Sequence, residues 1–241
     1  MRATLPLACA LAISWAVAAQ ARDDTKGTAD PPKQEATSAT KLAWNPFAQA
    51  RAGEWETLLV TSHTNAPNSD EQSLDTWKVA SVAQDKVTTT RETRAAKMET
   101  KKQSDETCPP KEITVGDFLH LFTHDPVTGV KVEEEKKKVA GKELACTKIS
   151  CSWRRTKSVG PGMTVFFSAN KLTVWISKDV RGPGIVAYSL ETKLGQGATL
   201  FADAEVAGFG NAEKAEWGKK TNDIVLEGET PEPGSDDPKD K

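Results

Sequence analysis

The chain has 241 residues, a formal net charge of −2 at pH 7, and 27% charged residues. That length fits one domain with polar ends. Acids and bases alternate along it, so the electrostatic footprint expected of a nucleic-acid binder is missing.

The first segment, MRATLPLACALAISWAVAAQARDD, places Arg2 ahead of an apolar run from Leu5 to Ala19. Ala19-Gln20-Ala21 follows as a small-x-small cleavage site. This three-part pattern predicts a secretory signal peptide over residues 1–21. The run is short for a membrane span, which needs about 20 apolar residues. Cys9 lies inside the run rather than after it, which argues against a lipid-modified cysteine. A mature protein starting near Arg22 is expected in the periplasm or outside the cell, with no membrane span. Residues 22–41 are polar and proline-containing, and read as a disordered leader.

A β-rich domain is expected over residues 42–210. It opens with NPFAQARAGEW, where Asn45 can cap a short helix, Pro46 can take its first position and Gly53 can end it. Trp55, Thr57 and Leu59 then alternate with Glu54, Glu56 and Leu58 as a first strand. Two strands follow around Ala83-Gln84-Asp85. Residues 95–110 read as charged and irregular. EITVGDFLHLFTHD fits a short helix or a mixed edge segment equally well. Further strand pairs are expected around Ala140-Gly141, around Ala169-Asn170 and around Arg181-Gly182-Pro183-Gly184. The last pair is joined at Gly195-Gln196-Gly197. Short strands punctuated by glycine or asparagine turns predict an all-β fold, with a β-rich α+β fold as the variant. The architecture expected is a curved antiparallel sheet, an open or half-closed barrel with one or two short helices.

Around the last glycine turn, Val174 and Ile176 share one face and Trp175 the other. Ile185, Ala187 and Ser189 alternate with Val186, Tyr188 and Leu190. Apolar groups on both faces mean that something covers each. A helix held in the curve would do so, and so would an apolar ligand. The run EEEKKK, Glu133 to Lys138, reads as a solvated hairpin with mutually neutralising charges. Basic residues along Lys148 to Lys157 could protect a sheet edge. Residues 211–241 read as a mostly disordered acidic tail, with Trp217 and Ile224-Val225-Leu226 as a last docked segment.

Three cysteines remain after cleavage: Cys108, Cys146 and Cys151. Cys146 and Cys151 on one strand would stand roughly 17 Å apart on opposite faces, too far to bridge. With Cys151 on the core face and Cys146 outward, a Cys108–Cys146 disulfide is the preferred pairing.

The order of NPFAQARAGEW, KELACTKI and TVWISKDVRGPGIVAYSLE resembles a group of uncharacterised exported bacterial proteins. Asn45, Pro46, Phe47, Gly53, Trp55, Trp175, Ser177, Gly182, Gly184 and Val186 carry the likeness. The layout is more distantly similar to the half-open barrels of periplasmic lipoprotein carriers. That likeness implies a curved sheet around helices, and a lipid or lipoprotein acyl chain as partner.

Candidate chemistry is sparse. His120 and His124 in HLFTHD have metal-ligand spacing, with Asp125 adjacent. No HExxH base accompanies them, and Pro126 ends the element, so no metal site is assigned. Gly160-Pro161-Gly162 and Gly182-Pro183-Gly184 lack the lysine of a phosphate loop and read as turns. No catalytic residue and no cofactor is assigned. The first expectation is a non-enzymatic exported protein holding a lipid or other apolar ligand in the curve of its sheet. Trp55, Trp77, Trp153, Phe166, Trp175 and Tyr188 would line the cavity. The alternative is a structural or interaction module of the cell envelope without a small ligand. A hydrolase assembled from loops is a weaker third.

Overall fold

A computed structural model describes residues 40–65, 70–96, 98–107, 112–160, 163–195, 197–211, 214–227 and 229. The expected signal peptide, nearly all of the leader, Cys108 and the last residues of the tail lie outside these. Among the described residues, ten strands form one antiparallel sheet: β1 (Glu54–Thr64), β2 (Glu71–Val82), β3 (Val87–Ala95), β4 (Met98–Thr107), β5 (Val127–Val139), β6 (Lys142–Gly160), β7 (Met163–Ile176), β8 (Ile185–Leu194), β9 (Thr199–Asn211) and β10 (Lys214–Gly218). Their spatial order is β4-β3-β2-β1-β9-β8-β7-β6-β5, and β10 pairs with β9 where β8 has ended. The sheet does not close, because β4 and β5 are its two edges. This is the open, curved, all-β architecture that the strand pattern predicts.

Register fixes which side chains share the inner face. Leu58 and Val60 of β1 line up with Trp77 and Val79 of β2, Ala202 and Ala204 of β9, Tyr188 of β8, Leu172 and Val174 of β7, and Ile149 and Cys151 of β6. All belong to one buried cluster. The short helix α1 (Val115–Leu119) lies against them, with Phe118 fully buried and Leu119 nearly so. Fully burying a side chain such as Phe118 contributes about 1.5–3 kcal/mol. So an internal helix covers this face.

A helix of five residues needs help to form. Thr114 and Asp117 build a reciprocal cap: the Asp117 amide donates to the Thr114 hydroxyl at 3.1 Å, and the Thr114 amide donates to Asp117 at 2.9 Å. The amide of Leu42 donates to Ile113 and that of Val115 to Thr40, so the start of the domain pins the helix in place.

Several local expectations need correction. Residues 98–107 form strand β4 because Met98 and residues 101–107 pair along β3, despite their charge. The break expected at Ala169-Asn170 is absent: β7 runs straight through, pairing with both β6 and β8. NPF makes a tight turn rather than a helix, with the Phe47 amide donating to Asn45 Oδ1 at 2.9 Å. The basic residues Lys148 to Lys157 lie on an interior strand, so they protect no edge. Cys146 lies on the outer face with Lys148, as expected, but it is neither exposed nor bridged. It is a buried free thiol, in one cluster with Val139, Leu144 and Val180, and its Sγ donates to the Leu144 carbonyl at 3.5 Å.

The tail beyond residue 210 begins with docked structure, as the apolar Trp217 and Leu226 suggest. Trp217 stacks on Phe209 with ring centroids 5.6 Å apart, and Leu226 is buried. Thr221 bonds Thr57 across the outer face at 2.7 Å. Gly208 lies so close under this segment that an added methyl would collide with the Lys219 carbonyl.

The β5–β6 hairpin turns on Ala140 and Gly141, at φ 45° and 84°. Ala140 occupies left-handed backbone that favours glycine or asparagine. Ala140→Gly should therefore raise stability by about 1 kcal/mol in urea unfolding. A loss of stability would contradict this reading of the turn.

Candidate functional site

The inner face has two ends with different chemistry. At one end, β6 to β9 leave a cleft lined by Phe122, Trp153, Arg155, Asn170, Leu190 and Ala202, among others. Its volume is about 50 Å³. Asn170 is buried and held from both sides: its Nδ2 donates to Ser168 at 3.1 Å, and Thr192 donates to its Oδ1 at 2.9 Å. Arg155 Nε donates to Asp125 at 3.2 Å. That pair turns Asp125 away from a metal role with the histidines. His120 and His124 are exposed and meet edge to face, 5.5 Å between centroids. Among the described residues, no group of three His, Cys, Asp or Glu stands close enough to hold a metal ion.

The middle of the trough is crossed by an ionic network. Asp75 of β2 accepts from the Arg91 guanidinium and, at 2.6 Å, from Thr93. Tyr188 of β8 donates to the same carboxylate at 3.4 Å. Its ring meets Phe122 edge to face at 5.6 Å. Burial first, and then the Asp75 charge, push the Tyr188 phenol far above its usual range, so it stays protonated as the donor.

At the other end, Glu56 of β1 is fully buried beneath the turn Arg181-Gly182-Pro183-Gly184. Its Oε2 accepts from the Ile185 amide at 3.1 Å, while its Oε1 has no partner. Gly182 and Gly184 have φ of 71° and 73°. A Cβ on Gly184 would sit 2.9 Å from the Ser177 carbonyl and 3.1 Å from Trp44, so only glycine fits. Arg181 ties the turn outward, with Nε donating to Glu216 at 2.9 Å and NH1 3.7 Å from Glu54. Ser177 and Gly184 share a backbone bond of 2.8 Å. Gly182, Gly184, Ser177 and the Asn45-Pro46-Phe47 turn next to Trp44 thus belong to one structural corner. In this structure their work is to hold the turn over Glu56.

The six aromatic residues expected around a cavity do not converge. Trp77 and Tyr188 are packed into the inner core, and Trp153 lines the cleft. Trp55 is buried on the outer face, opposite Lys78 and Gly210. Trp175 is half-buried on the outer face, where its Nε1 donates to Glu135 at 3.1 Å and Lys137 lies 4.3 Å from its ring centroid. Phe166 contributes backbone to β7, and its side chain lies outside the described residues. Burial raises both strand thiols, Cys151 up to about 12, so neither is an ionised nucleophile near neutral pH.

Sequence reasoning missed Glu56, Asp75, Arg91 and Arg155. A signal for Glu56 was present: in EWETLLV it shares a strand face with Leu58 and Val60, an acid on an apolar face. Asp75 precedes Trp77 on a core face in the same way. Nothing in the sequence says that Arg91 and Tyr188 come to it.

No protein-family model matches the chain, and no curated protein matches it in sequence. Among solved structures, it is similar to a Bacteroides fragilis protein with a YmcC-like fold, provisionally described as exported. Identity is 9% and the TM-score 0.39, over 67% of this chain and 97% of that one. The overlap is too loose to transfer a residue role.

Burial, partly offset by amides from Ile185 and Gly184, holds the Glu56 carboxyl well above the usual carboxylate range. The folded protein therefore keeps a proton that the unfolded chain releases above about 4.5. Stability from this site is complete below that pH and falls as pH rises toward the folded-state value. Glu56→Gln, which can still accept from Ile185, should remove that fall. In urea unfolding, the variant should gain on the wild type between about pH 5 and pH 8. A difference that stays constant over that window would contradict a buried, protonated Glu56.

Proposed function

We propose that the chain is an exported, non-enzymatic protein that works through its outer surface and edges, as an interaction module of the cell envelope rather than a container. The observation that carries this is the filled trough. Helix α1, Phe122, Trp77 and Tyr188 occupy the curve of the sheet, and about 50 Å³ remains in the cleft. Pockets for small organic ligands run to roughly 300 Å³ or more. The cleft has room for a few water molecules and not for an acyl chain. The signal-peptide pattern at residues 1–21 supports export, with the periplasm or the extracellular space as destination.

The lipid-holding reading would require α1 and Phe122 to leave the inner face, exposing the core they cover. The two readings separate by native mass measurement on protein recovered from the periplasm or medium. The expected result is a mature chain beginning at Arg22 with no bound adduct. An acyl-bearing adduct that persists through purification would overturn the filled-trough reading. Recovery of the intact chain from the cytoplasm would overturn export.

A further inference from the structure

We propose that the chain pairs with a second copy of itself, edge to edge, along strand β5. Among the described residues β5 hydrogen-bonds only to β6, so its outer row of amides and carbonyls is unpaired. Such an edge is a template for another strand. Natural edges are commonly blunted by a proline or by like charges, which repel an incoming copy. The central residues of β5 instead read Glu133-Glu134-Glu135-Lys136-Lys137-Lys138, acids first and bases second. Reversed in direction, that order is complementary to itself.

The symmetry can be followed residue by residue. Two antiparallel copies related by a twofold axis normal to the sheet keep their faces aligned. With the axis at Glu135, Glu133 faces Lys137 of the partner subunit, and Glu134 faces Lys136 of the partner subunit. The same two pairs recur by symmetry. Opposite charges then meet at both pairs that flank the axis, and Lys138 faces Val132 of the partner subunit. Placing the axis at Lys136 gives the same result, with Glu134 facing Lys138 of the partner subunit and Glu135 facing Lys137 of the partner subunit. The like-charged pair at the axis is already neutralised within each chain. Glu135 lies 3.0 Å from Lys148, and Lys136 lies 2.8 Å from Glu143. Opposite-charge cross-strand pairs contribute roughly 0.2–1 kcal/mol each, and the backbone ladder adds to them.

Two further observations favour this edge. Val132, at the start of the run, is 36% exposed and would be covered by the pairing. The side chains are also pre-ordered on the outer face, where Glu135 and Lys137 are held by Trp175. The pairing would join two open sheets into one continuous sheet, and it does not depend on whether the trough holds cargo.

The test uses the mature wild-type chain and two triple variants, Glu133→Lys/Glu134→Lys/Glu135→Lys and Lys136→Glu/Lys137→Glu/Lys138→Glu. Sedimentation at about 100 μM should show wild-type dimers. Each variant alone should associate at least about tenfold more weakly, since both pairs that flank the axis become like-charged. An equimolar mixture of the two variants should form the mixed dimer. Hydrogen exchange on the wild type gives a reading free of mutation: β5 amides should gain protection as concentration rises. A monomeric wild type, variants that dimerise like the wild type, or β5 protection independent of concentration would each overturn the proposal.

Discussion

The Tyr188 hydroxyl meets the Asp75 carboxylate across the hollow of the sheet. In strand order, β1 and β9 lie between β8 and β2, so a hydrogen bond between their side chains requires the sheet to curl. Arg91 neutralises the same carboxylate, which lets a charge sit in an apolar interior at all. Curvature in turn creates the space that α1 fills. Without it, Phe118 and Phe122 would have no concave surface to cover, and Leu58, Val174 and Ile149 would face water.

The same geometry is what the proposed function rests on. A curved open sheet suggests a vessel, and the first expectation was a lipid carrier. The interior holds its own aromatic residues instead, and the polar groups that remain are engaged with one another: Asn170 with Ser168 and Thr192, Arg155 with Asp125. Glu56 has one oxygen unpartnered under a turn in which Gly184 admits no side chain. A buried polar atom without a partner costs about 1–3 kcal/mol. That cost falls on stability at the sealed end of the trough. Outside the trough lie the outer face, partly covered by the segment that carries Thr221 and Leu226, and the two strand edges.

Strand positions and the open all-β class were legible because alternation, glycine turns and the Ala140-Gly141 hairpin are local signals. Strand β4 was not: its residues are charged, and it is extended because β3 lies beside it, not because of its own propensity. The run through Ala169-Asn170 failed for a related reason. Asn170 suggests a turn, but its side chain is held by Ser168 and Thr192 inside a ladder paired on both sides. The tryptophans announced burial without saying which face, so Trp55 and Trp175 were grouped with Trp77 although they lie across the sheet from it. Asp75 with Tyr188, and Glu56 with Ile185, join residues more than a hundred positions apart. Only topology brings such pairs together.

The curl itself is open to one direct measurement, a double-mutant cycle on Asp75→Asn and Tyr188→Phe read by urea unfolding. If the two side chains meet across the trough, the effects of the single changes should fail to add, with a coupling of about 1 kcal/mol. Effects that add to within about 0.3 kcal/mol would mean that β2 and β8 do not touch, and the curved, self-filled sheet would be contradicted.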